Sequence, residues 1–145
     1  MKKLVFLLVA LLVNVFAHAY DGLGYPFTGK TAAEAQPFVP DNSASAAGYT
    51  VQVTMEGETV VKEYVDNNYI IFAVTWSGVI LPDLSALLGQ YARHDGKERG
   101  SGLRHRVIED NDLVVSKNYS SRSKRGYAYL KSKLPAQFDP ALLAP

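Results

Sequence analysis

From Tyr49 onward the chain alternates. Tyr49, Val51, Val53 and Met55 are apolar or aromatic, and Thr50, Gln52 and Thr54 between them are polar. That period of two belongs to a strand with one face on a core. Glu56-Gly57-Glu58 supplies a turn, and Thr59 to Val65 returns as a second strand. Asp66-Asn67-Asn68 predicts the next turn, because Asn tolerates left-handed backbone angles and bonds its own main chain. The third strand, Tyr69 to Trp76, is mostly apolar on both alternating faces. Such a strand is central and covered on both sides.

Gly78 breaks this run. Pro82 and Asp83 suit the first positions of a helix, by fixed φ and by a carboxylate near the positive end. Leu84, Leu87, Leu88 and Tyr91 follow at helical spacing and give a short helix with one apolar face. Arg93 to Gly102 reads as a charged, glycine-bearing loop. Leu103 to Ile108, Leu113 to Ser116 and Tyr127 to Leu130 predict three more strands, with turns at Glu109 to Asp112 and Lys117 to Arg125. The expected fold class is α+β: a twisted antiparallel sheet of about six strands, in the order β3-α-β3, with one short packed helix. One helix covers one face. The other face of the central strand needs the lead-in, the tail or another molecule.

The flanks set the compartment expected of the chain. Lys2 and Lys3 precede an apolar run from Leu4 to Phe16, and Ala17-His18-Ala19 follows as a small-x-small cleavage site. This is the layout of a secretory signal peptide over 1–19. The run falls short of the roughly 20 apolar residues of a membrane span. With no cysteine, the chain has neither a thioether lipidation site nor a disulfide framework. A periplasmic or secreted protein is expected, divided as signal peptide 1–19, extended lead-in 20–48, α+β domain 49–134 and C-terminal tail 135–145. Charge is uneven. Tyr20 to Gln90 holds two basic and eight acidic residues, whereas Tyr91 to Lys133 holds eleven basic and five acidic.

Two motifs mislead. GYPFTGKT, Gly24 to Thr31, fits the G-x-x-x-x-G-K-[ST] phosphate loop at every fixed position. A phosphate loop needs a buried strand before it and a helix after it, so that backbone N–H groups and the helix dipole converge on phosphate. Tyr20 to Leu23 is too short and polar for that strand, and Pro37 and Pro40 curtail any helix. No nucleotide is expected. Arg125-Gly126-Tyr127-Ala128-Tyr129-Leu130 matches six positions of an aromatic RNA-stacking motif. That motif sits on the third strand of a βαββαβ fold, whereas here it falls on the last. An edge strand with packed tyrosines is the plainer account, and no nucleic acid is expected.

Catalytic and metal constellations are thin, and no cofactor is expected. His94, Asp95 and Glu98 lie in one loop and make a weak metal site without an ordering helix. His105 alternates with Leu103 and Val107, which points it to the apolar face and Arg104 and Arg106 to the other. His105 and Glu109 share strand parity but stand about 13 Å apart along an extended chain, too far to hold one ion. Asp110-Asn111-Asp112 opens like a calcium loop, yet Val114 stands where a further oxygen is needed, so a tight hairpin turn is expected. Arg104, Arg106, Arg122, Lys124 and Arg125 form a basic group that neighbouring strands would bring near Tyr127 and Tyr129. It suits an anionic glycan, a lipid head group or an acidic protein surface. Pairing with the acidic front half of the chain is the alternative.

Tyr69-Ile70-Ile71-Phe72-Ala73-Val74-Thr75-Trp76 is followed by Leu81-Pro82-Asp83-Leu84 and Leu87-Leu88-Gly89-Gln90-Tyr91. With Val60 to Val65 upstream and Gly126 to Leu130 downstream, it resembles a family of small exported Gram-negative bacterial proteins, domain of unknown function 2844. The resemblance spans nearly the whole chain beyond the signal and implies an exported protein with no assigned activity. In that family a histidine precedes the last strand, where this chain has Ser116-Lys117-Asn118-Tyr119-Ser120. The function expected is a non-enzymatic binding module facing an envelope protein or an anionic glycan or lipid. The alternatives are a small hydrolase or metal-assisted enzyme built on the 93–102 loop, and a structural component that self-associates into a homo-oligomer.

Overall fold

The computed structural model describes residues 22–27, 48–93, 97–99 and 104–144. Its centre is one antiparallel sheet. The strands are β1 (Tyr49–Glu56), β2 (Thr59–Asp66), β3 (Ile71–Gly78), β4 (Lys97–Arg99), β5 (His105–Glu109), β6 (Leu113–Tyr119) and β7 (Lys124–Leu130). A five-residue helix, α1 (Leu84–Leu88), follows β3 and runs into a 3-10 turn at Gly89–Arg93. The six expected strands are present, and a seventh, three residues long, lies inside the expected 93–102 loop. The order is therefore β3-α-β4, a correction to β3-α-β3. Across the sheet the strands run β1-β2-β3-β7-β6-β5-β4. The last strand thus enters the middle of the sheet, between β3 and β6, and is not the edge strand expected from its sequence.

Several boundaries moved for local reasons. The Asp66 carboxylate accepts from the Asn68 and Ile70 amides, and the Asp66 amide donates to the Ile70 carbonyl. This Asx-type closure holds Tyr69 at φ 60 in the turn, so β3 starts at Ile71 instead of Tyr69. Asp83 caps α1 through bonds from the Ser85 and Ala86 amides. Gly89, at φ 54, ends the helix before Tyr91. The expected 117–125 turn is shorter, because β6 and β7 pair as far as Tyr119 opposite Lys124.

The two faces of the sheet are covered by different parts of the chain. On one face, Val61, Val65, Ile71, Val74, Trp76, Ile108, Leu113, Val115, Ala128 and Leu130 form a core with Leu87 and Leu88 of α1 and with Leu23. Leu23 belongs to a strap, residues 22–27, tied by backbone bonds. Leu23 N–H donates to Leu87 O, Gly24 N–H to Ile71 O, Ile71 N–H to Tyr25 O and Phe27 N–H to Tyr69 O. On the opposite face, Tyr64, Phe72 and Ala73 pack with Phe138 and Leu143 of the tail. Phe138 stands edge-on to Tyr49, Tyr64 and Phe72, with ring centroids 5.1, 5.8 and 5.0 Å away. The tail therefore covers the face that one helix leaves open. This removes the reason for expecting another molecule there.

Two irregularities make the cores fit. Tyr64 pairs with Ala73 but Val65 with Ile71, so Phe72 is an extra residue in β3. Phe72 and Ala73 consequently both reach the tail-side cluster while Ile71 joins the helix-side core. Gly126 lies directly under Trp76, and a Cβ there would collide with the indole ring and the Ser116 carbonyl. Glycine lets the ring lie flat across β7.

Candidate functional site

Register decides where the basic residues go. Strands β1, β3 and β6 end, and β2, β5 and β7 begin, at one end of the sheet. Lys124 pairs with Gly78 and Tyr119, Arg125 with Ser77 and Asn118, and Arg106 with Lys117. Arg104 sits just before β5, its carbonyl accepting from the Tyr119 amide, and Arg122 is in the Ser120–Ser123 turn. All five expected cations therefore share this end.

They do not share a face. Alternation from the paired registers puts Arg106, Lys117 and Lys124 on the helix side with Trp76, and Arg125, Tyr127 and Tyr129 on the tail side. β6 also separates β5 from β7, so Arg104 and Arg106 do not converge on the tyrosines. The group is better described as a basic rim around the end of β5, β6 and β7. Arg104, Arg122 and Arg125 are exposed, and Arg106, Lys117 and Lys124 are half-buried. Lys124 Nζ donates to the Ser120 carbonyl and stands 5.9 Å from the Tyr119 ring centroid. The Tyr127 and Tyr129 rings stack, with centroids 6.3 Å apart and planes 17° from parallel. They belong to the packing around the tail.

Sequence reading missed two parts of this end. Lys117, placed in a turn from its sequence, lies on β6 directly across from Arg106. Beside the rim, the loop leaving β3 exposes Val79, Ile80 and Leu81 at 53, 57 and 41 %. The Thr59 hydroxyl donates to the Ile80 carbonyl and fixes the loop backbone, while Pro82 is buried. The available signal was the bracket of Gly78 and Pro82 around three apolar residues, too few for a strand or helix of their own.

The other candidates are resolved unevenly. His105 is exposed and lies on the tail-side face, its Nε2 3.5 Å from Ser116 Oγ, whereas Ile108 of the opposite parity is buried. The expected inward histidine is thus corrected: β5 lies toward the sheet edge, and its more buried face carries Arg106 and Ile108. The Asp110–Asp112 segment is a hairpin turn as expected, with the Asp112 carboxylate accepting from Ser132 N–H and Oγ at 2.7 and 2.8 Å. Lys131 pairs with Glu109 at 2.7 Å. Among the described residues no group of three His, Asp or Glu could hold a metal. His94 and Asp95 of the expected loop site lie outside the described residues, and so does the side chain of Glu98. In GYPFTGKT, the Gly24 amide is spent on Ile71 and Pro26 bridges Ile70, so its first half is a strap paired to the start of the central strand β3. Thr28 to Thr31 lie outside the described residues.

Three tyrosines hold their protons more tightly than usual. Burial raises the Tyr64 hydroxyl above its ordinary 10.0, eased by a hydrogen bond with Thr75 and reinforced by Tyr49. Burial raises Tyr119 likewise, and the indole N–H of Trp76 tempers the effect without the geometry of a full hydrogen bond. Tyr129 is raised by burial and by Tyr127, with Lys131 working against both and Glu109 adding to the rise.

The fold and rim define a small, mainly sheet domain with one short helix and no helix long and apolar enough to cross a membrane among the described residues. The family model described as Protein of unknown function (DUF2844) matches residues 17–143, and the chain belongs to that family. No curated protein and no solved structure matches it.

Proposed function

We propose that this is an exported binding protein, released after residues 1–19 are removed, that engages an anionic partner through the basic rim without catalysis. The observation that carries the reading is the register. It collects Arg104, Arg106, Lys117, Arg122, Lys124 and Arg125 at one end of β5, β6 and β7. Glu109, Asp110 and Asp112 stand at the opposite end. A chain with nearly balanced charge thereby gains a locally basic patch on the β5–β7 side of that end, which favours anions there, while Glu56 and Glu58 keep the β1–β2 side acidic.

Chromatography on a polyanionic resin tests the reading. The protein is expected to be retained at low salt and released as salt rises, because exposed charges are screened beyond about 10 Å at 0.1 M. The triple variant R122E/K124E/R125E is expected to flow through. Equal retention of both proteins would remove the rim as the site. The export step is tested separately, by intact mass of the protein recovered from each cell fraction. A chain beginning at Tyr20 outside the cytoplasm is expected, and a full-length cytoplasmic chain would overturn it.

A further inference from the structure

The exposed loop after β3 has no part in holding an anion by charge, yet it stands beside the rim. β3 occupies the middle of the sheet, with β7 and β6 on one side of it and β2 and β1 on the other. Val79, Ile80 and Leu81 therefore emerge next to Lys124 and Arg125, the register partners of Gly78 and Ser77. On the far side of the loop lies the β1–β2 turn with Glu56 and Glu58. Three consecutive apolar side chains that remain 41–57 % exposed on a fixed backbone are an unusual surface for a soluble domain. Their backbone is not free to fold them inward, because Thr59 holds the Ile80 carbonyl and Gly78 lies tight against Thr59.

Resting on the anion-binding reading above, we propose that the partner is a bilayer surface bearing anionic head groups. The Val79–Leu81 loop enters the head-group and acyl boundary, and Arg122, Lys124 and Arg125 lie over the lipid phosphates. The charge arrangement favours this occupant. An apolar tip flanked by cations matches a membrane interface, where burial of apolar surface and attraction to anionic lipid act together. A soluble glycan would use the cations and leave the three apolar side chains in water. The acidic β1–β2 turn sets the tilt, because it is repelled and turns the β7–β5 side toward the membrane.

The test is co-sedimentation of the protein, purified as the cell processes it, with vesicles of phosphatidylcholine alone or with phosphatidylglycerol added. A parallel arm measures binding to dextran sulfate, which offers anions without an apolar phase. The parent protein is expected to bind the mixed vesicles and to leave the neutral ones in solution. I80S is expected to weaken vesicle binding by about tenfold or more, from the lost apolar contact, while binding dextran sulfate as before, because it leaves the charge unchanged. Each charge reversed among Arg122, Lys124 and Arg125 is expected to cost roughly fivefold or more on vesicles, and to weaken dextran sulfate binding too. All variants carry the same N-terminus, so residues 4–16 cannot account for a difference between them. Circular dichroism and the denaturation midpoint check that each variant is folded, and V79S serves if I80S is not.

Binding to dextran sulfate but not to mixed vesicles overturns the membrane proposal and leaves the anion-binding reading standing. Vesicle binding that I80S and V79S leave unchanged also overturns it. Binding to neither probe removes both.

Discussion

The two faces of the sheet are closed by different physical means. On the helix side, the strap is stitched to β3 and α1 by backbone hydrogen bonds, with Leu23 fully buried among them and Phe27 packed against the same core. On the tail side, cover comes from two side chains, Phe138 and Leu143, in an aromatic setting. The tail's backbone bonds close within it, from Phe138 to Pro135, Leu142 to Asp139 and Ala144 to Ala141. Backbone pairing makes the strap part of the sheet's cooperative unit, whereas side-chain packing leaves the tail able to open separately. Equal burial does not mean equal attachment.

The sharpest way to break this comparison is F138A, expected to cost about 3–5 kcal/mol of tail-side packing. Limited proteolysis should then cut within 134–144 well below the denaturation midpoint of the remaining sheet. A single transition with no early cleavage would mean that the tail is as integral as the strap. L23A is expected to cost about 2–5 kcal/mol, read as a lower midpoint of one cooperative transition with the tail still protected. Next comes G126A, which forces Trp76 off β7 and should cost about 1–3 kcal/mol, with a change in the tryptophan emission.

Alkaline pH distinguishes the faces more gently. Tyr64, Tyr119 and Tyr129 have folded values raised above the ordinary 10.0, so the unfolded chain loses these protons first. Their contribution is fully present below that value and is lost as pH rises through the folded values. Tyr64 and Tyr129 are on the tail side and Tyr119 on the helix side. Denaturant midpoints measured above pH 10 should therefore fall, Y64F should flatten the fall, and tail cleavage should appear first. The smallest effect expected is that of D83A, about 1 kcal/mol from the lost cap of α1, with no change in tail cleavage.

Most of the sheet was legible because alternation and turn chemistry agree locally. The two-sided apolar run of β3 announced a central strand, and Glu56-Gly57-Glu58 and Asp110-Asn111-Asp112 marked hairpin turns. The position of β7 was not legible. Pairing between β3 and β7 spans nearly fifty residues, and nothing in either strand states its partner. The same gap hid the division of the cations, whose faces follow from parity once the register is known. Lys117 was lost because the polar run from Lys117 to Arg125 reads as a turn, although tertiary pairing extends β6 to Tyr119. The bulge at Phe72 was equally silent, since the ring it turns to the tail side packs against Phe138, sixty-six residues further on.

That Phe138 and Leu143 follow all seven strands in sequence has a consequence for the order of folding. Until Phe138 has left the ribosome, β1 to β7 are available but Phe72 has no Phe138 against it. The tail-side face can therefore close only after Phe138 and Leu143 have emerged, and until then the sheet offers an unfinished face to any chaperone that recognises exposed aromatic surface.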